Sequence, residues 1–156
     1  MNKIRIVFAI VMLCLGLFSC AQQSGFDTYV EETNTSALQA DTNTALIIIY
    51  RSGFLGWAAT KNYYVYEDGQ KIAYMKYDTY SVHRAKPGTH LYTAVDQQAS
   101  SVTLTVEAGK TYYLDAGYQN DLFAYGPSLE VGSAEAFGSK KDSLTHLRLN
   151  HNVRAL

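Results

Sequence analysis

The chain has 156 residues, 47% hydrophobic and 17% charged, with 13 basic and 14 acidic side chains and a formal net charge of −1. That length accommodates one domain with a single modest core. The near-neutral balance offers no clustered basic face of the kind nucleic-acid binding requires.

In chain order, Lys3 and Arg5 make a short basic start, and Ile6 to Phe18 follows without a charged side chain. A positive start, an apolar stretch of about 7–15 residues and a small residue before a cut site describe a secretory signal. The run is short for a permanent membrane span, which needs about 20 apolar residues. It ends in Leu17-Phe18-Ser19-Cys20, which resembles the lipobox of bacterial lipoproteins, with Phe18 in place of the commoner small residue. That resemblance implies removal of residues 1–19 and lipid modification of Cys20 as the first mature residue. Two or more acyl chains anchor a protein stably where one does not, so the expected partner is a membrane that the chain does not cross. Cys14 lies inside the signal, so a cleaved and lipidated chain keeps no thiol. It then has no disulfide, thiol chemistry or Cys-ligated metal site. Loss of Lys3 and Arg5 leaves 11 basic against 14 acidic residues, or −3.

Residues 20–44 read as the lipidated cysteine and a polar tether, with Phe26, Tyr29, Val30 and Leu38 in no sustained period. The 24 residues from Ala21 to Thr44 would average about 25–30 Å as a coil and reach roughly 80 Å extended. The alternative is that Thr28 to Gln39 docks on the domain as a short helix or strand, because Phe26, Tyr29 and Val30 favour burial.

From Ala45 the pattern becomes one of short strands. Ala45 to Arg51 is a bounded apolar run typical of a strand covered on both faces. Asn62 to Glu67 and Gln70 to Met75 flank Asp68-Gly69, a type I′ hairpin signal. Tyr77 to Arg84 and Thr89 to Val95 flank Lys86-Pro87-Gly88, where proline and glycine preset turn dihedrals. Ser101 to Glu107 alternates strictly, Thr111 to Tyr118 follows a glycine turn, and Leu122 to Tyr125 reads as a further strand. The expected fold is all-β. It is an antiparallel β-sandwich of about seven to eight strands over residues 45–137, after an N-terminal signal helix and flexible linker. Ser133 can cap a short helix over Ala134 to Phe137. Residues 138–156 form a tail in which His146 to Asn150 either adds a last strand or frays.

Taken in order, Leu46 to Arg51, Tyr64 to Ile72, Lys86 to His90, Ala108 to Tyr113 and Gly126 to Val131 resemble a family of bacterial lipoproteins with a domain of unknown function. That domain is similar to the PEGA-like β-sandwich modules of envelope and surface proteins. The resemblance spans roughly Thr44 to Phe137. It implies an exported, non-enzymatic module and carries over no active-site residues.

The residues themselves show no phosphate loop, nucleophile elbow or HExxH helix. Glu67-Asp68 are adjacent carboxylates at a hairpin tip, where turn chemistry explains Asp68 better than acid–base work does. No cofactor is expected. His83 and His90 flank the Lys86-Pro87-Gly88 turn and would lie nearly opposite each other in a hairpin; zinc or copper there needs a third ligand. Tyr63-Tyr64 and Tyr112-Tyr113 must split between faces in regular strands. Tyr64 and Tyr113 are therefore candidate outward rings, of the kind that stack on sugars or peptides. Phe54, Leu55 and Trp57 sit in a loop where polar residues are usual, and either fold over the open end of the sandwich or present a patch to a partner. The expectation is a non-enzymatic binding or scaffold lipoprotein of the bacterial envelope. By the resemblance to bacterial lipoproteins, Ala21-Gln22 without an aspartate after Cys20 implies the outer membrane, and the lack of an acidic run there implies its periplasmic face. The alternatives are a carbohydrate- or peptidoglycan-binding module using exposed aromatics, and an envelope enzyme.

Overall fold

A computed structural model describes residues 28–32, 38–53, 57–120 and 125–150. The signal reading over 1–19, Cys20, Phe54 and Leu55 lie outside the described residues, as does the side chain of Trp57. The described residues form ten strands: β1 Thr28–Glu31, β2 Ala45–Arg51, β3 Tyr63–Glu67, β4 Gln70–Met75, β5 Thr79–Ala85, β6 Gly88–Val95, β7 Ala99–Val106, β8 Thr111–Asn120, β9 Tyr125–Val131 and β10 Thr145–Asn150. A five-residue helix, α1 Ala134–Gly138, precedes β10.

The strands make two sheets, ordered β1-β10-β5-β2-β8-β9 and β4-β3-β6-β7. Most neighbours are antiparallel, as the sequence leads one to expect of a sandwich. Two pairs, β2 with β8 and β10 with β5, are parallel. β2 lies at the centre of the larger sheet, and every one of its residues is buried. Period-2 alternation sends Ala45, Ile47 and Ile49 into the core between the sheets, with Tyr63, Val65, Met75, Tyr92 and Leu114. It sends Leu46, Ile48 and Tyr50 to the opposite face, where they lie with Tyr80 of β5 under Phe137 and Leu144. This is why the run is apolar throughout rather than alternating.

Asp68 and Gly69 take φ of 49° and 83°, the positive pair that a type I′ hairpin requires. A bulge after Val65, where Val65 pairs with Ala73 but Tyr66 with Lys71, turns both Ile72 and Ala73 inward. Ser133 caps α1 through its side-chain oxygen, which accepts from the Ala136 amide at 3.1 Å.

Two expectations change. Lys86-Pro87-Gly88 does not close a hairpin: β5 pairs with β2 and β10, while β6 pairs with β3 and β7. The turn is a corner between sheets, with Gly88 at φ 147°. The sandwich also extends beyond residues 45–137. β1 lies within the stretch read as tether and pairs with β10, which lies within the stretch read as tail. Only the seven residues Ala21 to Asp27 separate Cys20 from the first strand.

Candidate functional site

The two sheets differ in what covers their outer faces. On the six-stranded sheet, α1 and the 38–40 segment lie over Leu46, Ile48, Tyr50, Tyr80 and Tyr113. Phe137 is 5% exposed, with ring centroids 5.4, 5.6 and 5.8 Å from Tyr80, Tyr50 and Tyr113.

On the four-stranded sheet, alternation and register set out an outward face in rows. Tyr74, Tyr64, Val95 and Ala99 form one row across β4-β3-β6-β7, and Lys71, Tyr66, Thr93 and Ser101 form the next. Leu91 pairs with Thr103 and Thr89 with Thr105 beyond them. Every one of these side chains is half-buried or exposed; Leu91 is 48% and Val95 38% exposed. The hydroxyls pair across strands, Thr89 with Thr105 at 2.9 Å and Thr93 with Ser101 at 3.0 Å. On the β4 side the rings cluster: Tyr29 is stacked on Tyr74 at 4.1 Å and 9°, and Tyr64 packs against Tyr74 at 4.9 Å with a 50° tilt. Lys71 Nζ lies 4.1 Å from the Tyr64 ring centre, and Lys76 Nζ lies 5.2 Å from that of Tyr29. Burial and the neighbouring Tyr29 hydroxyl push the Tyr74 phenol up to about 12, so it stays neutral.

The inward side of the same sheet ends in a polar cluster. Glu67 accepts from Tyr92 Oη at 2.7 Å and from His83 Nε2 at 2.9 Å, and so joins β3 and β6 to β5 of the other sheet. His90 places Nδ1 2.7 Å from Asp68 Oδ2 and Nε2 2.8 Å from the Lys86 carbonyl. With an acceptor at each nitrogen, the doubly protonated ring is favoured, and the Asp68 contact raises the His90 pKa above the usual value. Asp68 is held low, first by the Leu91 amide and then by His90. Burial and Glu67 push the Tyr92 phenol strongly up.

At the opposite end of β2, Arg51 is 3% exposed. Its guanidinium donates to the Lys61 carbonyl and lies 5.0 and 5.8 Å from the ring centres of Tyr63 and Tyr118. Tyr63 donates to the Gly117 carbonyl at 2.6 Å and Tyr118 to Asp96 at 2.9 Å.

Of the residues singled out from sequence, Tyr64 falls on the open face, whereas Tyr113 sits under α1 against Phe137. Each tyrosine pair divides as alternation requires, with Tyr63 and Tyr112 toward the inter-sheet core. His83 and His90 are not cross-strand neighbours: they stand on different sheets and meet carboxylates rather than each other. Among the described residues no three His, Cys, Asp or Glu side chains are grouped to hold a metal ion. No helix there is long and apolar enough to cross a membrane. Tyr66, Tyr74 and the hydroxyl pairs were not singled out from sequence, and Tyr29 only as a side chain favouring burial. The signal for the hydroxyls was present in the alternation of Ser101, Thr103 and Thr105.

No family model, no curated protein and no solved structure matches this chain.

Proposed function

We propose that this protein is a lipid-anchored lipoprotein of the bacterial envelope, and that it works as a non-enzymatic binding or scaffold module. Its contact surface in this reading is the outer face of the four-stranded sheet. One observation carries it: α1 covers the outer face of the six-stranded sheet at its centre, leaving Val30 and Val131 exposed only on its edge strands, while the four-stranded sheet leaves rings, hydroxyls, Leu91 and Val95 in solvent across its face. The apolar run ending in Cys20 supports the anchor, and Ala21-Gln22 favours the outer membrane facing the periplasm. Domain likeness to PEGA-like modules belongs to the same proposal.

The test is crosslinking of the lipidated protein in its native envelope, comparing wild type with a Leu91→Arg, Thr103→Arg double variant. Both positions are exposed on strands; because they pair across β6 and β7, the two arginines repel, and a near-ultraviolet circular dichroism spectrum matching the wild type is required of the variant before it is used. Loss of the wild-type crosslinks is expected; an unchanged set of crosslinked partners rules out this face. The anchor is tested separately, by incorporation of labelled lipid into wild type and Cys20→Ala. Label that persists in the variant rules out Cys20 as its site.

The paired hydroxyls favour a second reading, a glycan as the partner, because flat rings beside hydroxyl rows suit sugar faces and edges. Retention of the detergent-solubilised protein on peptidoglycan sacculi, lost in the double variant, separates it from a protein partner.

A further inference from the structure

We infer that the β4 side of the open face, comprising Tyr29, Tyr64 and Tyr74 with Lys71 and Lys76, rests on the headgroup layer of the membrane that holds the Cys20 lipid. The inference rests on the lipid-anchored reading above and assigns a partner to part of the same face.

The first argument is reach. β1 begins at Thr28, and Tyr29 is already stacked on Tyr74 at 4.1 Å. Only Ala21 to Asp27 lie between Cys20 and that strand. Fully extended, the eight steps from Cys20 to Thr28 span no more than about 28 Å, and as a coil about 15 Å. The 24-residue tether expected from sequence would let the domain turn freely on its anchor. Seven residues ending beside the stack hold this patch near the bilayer.

The second argument is chemistry. Tyrosine suits the membrane interface because it joins an apolar ring to a hydroxyl. Lysine stems lie along apolar surface while the ammonium reaches outward. Here each of two lysines lies over a ring of the stack, at 4.1 and 5.2 Å. Their charge complements anionic headgroups within a Debye length. Of the described acids near these residues in sequence, Asp68 is held by the Leu91 amide and His90, and Glu32 by Arg148 at 3.1 Å, while Glu31 is exposed and Asp78 half-buried. The β6–β7 side, with Leu91 and the hydroxyl pairs, is left for the partner.

The test uses full-length lipidated protein in vesicles of phosphatidylethanolamine and phosphatidylglycerol containing a headgroup spin-labelled lipid. A fluorophore is placed at Asn62→Cys, exposed and beside Tyr74, or at Thr103→Cys, exposed on β7. Mass spectrometry first verifies the lipid on Cys20. Quenching at position 62 at least threefold stronger than at 103 is expected. A Lys71→Glu, Lys76→Glu background should bring the two sites to within about 1.5-fold. Equal quenching in the lipidated wild-type background overturns the inference while leaving the anchor intact. A chain without lipid on Cys20 overturns the anchored reading and this inference with it.

Discussion

Replacing Phe137 by alanine tests whether the six-stranded sheet depends on its cover. Phe137 is the main apolar side chain of α1; it is 5% exposed and packs on three tyrosine rings at 5.4–5.8 Å. Truncating a buried phenylalanine costs about 3–5 kcal/mol, depending on how far the site collapses. α1 has five residues and Gly138 at its end, so it can settle inward, and we expect the lower value, about 3 kcal/mol. For a domain of this size that is on the order of 12 °C in Tm. Tyr66→Ala is the paired control: its ring lies half-buried on the open face, and its cost should stay within about 1 kcal/mol, the span of strand propensities.

The assay is thermal and urea unfolding followed by near-ultraviolet circular dichroism, which reports tyrosine packing directly. Phe137→Ala should also increase binding of a hydrophobic dye, because Leu46, Ile48 and Tyr50 lose their cover. Equal destabilisation by the two substitutions would mean that the four-stranded sheet is covered as well. The contrast on which the proposed contact surface rests would then be lost.

The histidines give a pH signature with two opposite signs. The folded pKa of His90 is raised, so its contribution is fully present below about 6.5 and is lost as pH rises through the higher folded value. The folded pKa of His146 is lowered by burial against Tyr80, so its contribution is present above about 6.5 and is lost as pH falls through the lower value. In urea midpoints measured from pH 5 to 8.5, His90→Asn should lose most stability at the acid end and His146→Asn at the alkaline end; parallel losses across the range refute both assignments. At Tyr50 the hydroxyl is buried and finds no partner at hydrogen-bond geometry among the described residues, while burial and then the Asp115 charge push it up to about 12. Tyr50→Phe should therefore change stability by less than about 1 kcal/mol. A Cβ at Gly132 would lie 2.7 Å from that hydroxyl, so Gly132→Ala should destabilise by about 1–3 kcal/mol. Tyr50→Phe should recover part of that loss in the double variant, and additive effects in the cycle refute the contact.

What was legible in the sequence was local. The all-apolar run of β2, the Asp68-Gly69 turn, the alternation of β7 and the Ser133 cap are short-range signals, because each depends on residues within one strand or one turn. β1 was not legible. Its four residues Thr28–Glu31 carry little preference of their own and are held by β10, more than a hundred residues away, and by Tyr29 on Tyr74. Of the strand expected over Leu122 to Tyr125, residues 122–124 lie outside the described residues, and β9 runs instead from Tyr125 through Gly126 and Pro127, residues that favour turns. Proline is tolerated there since β9 is an edge strand with one hydrogen-bonded neighbour, β8. Lys86-Pro87-Gly88 was legible as a turn and not as a corner, since the dihedrals do not say which sheet the next strand joins. The open face followed the same limit. Tyr64 could be placed outward by period, but Tyr113 has the same pattern and lies under α1.

The corner at Pro87 explains why a polar cluster sits at this end of the sandwich. A one-residue slip of β6 would turn Tyr92 and Ala94 outward and bring Leu91 and Thr93 into the core. Nothing in a Pro-Gly corner prevents that slip, because the turn does not pair β6 with β5. Asp68 does oppose it. Its amide donates to the Leu91 carbonyl and its carboxylate accepts from the Leu91 amide, each at 2.9 Å. The same carboxylate holds His90, whose other nitrogen donates to the carbonyl of Lys86 on the far side of the corner. Glu67 then ties Tyr92 of this sheet to His83 of the other. The adjacent carboxylates thus have a structural task apiece, Asp68 setting the register of β6 and Glu67 joining the sheets. That accounts for both acids and both histidines without acid–base chemistry, and it fixes which side chains of β6 the open face displays.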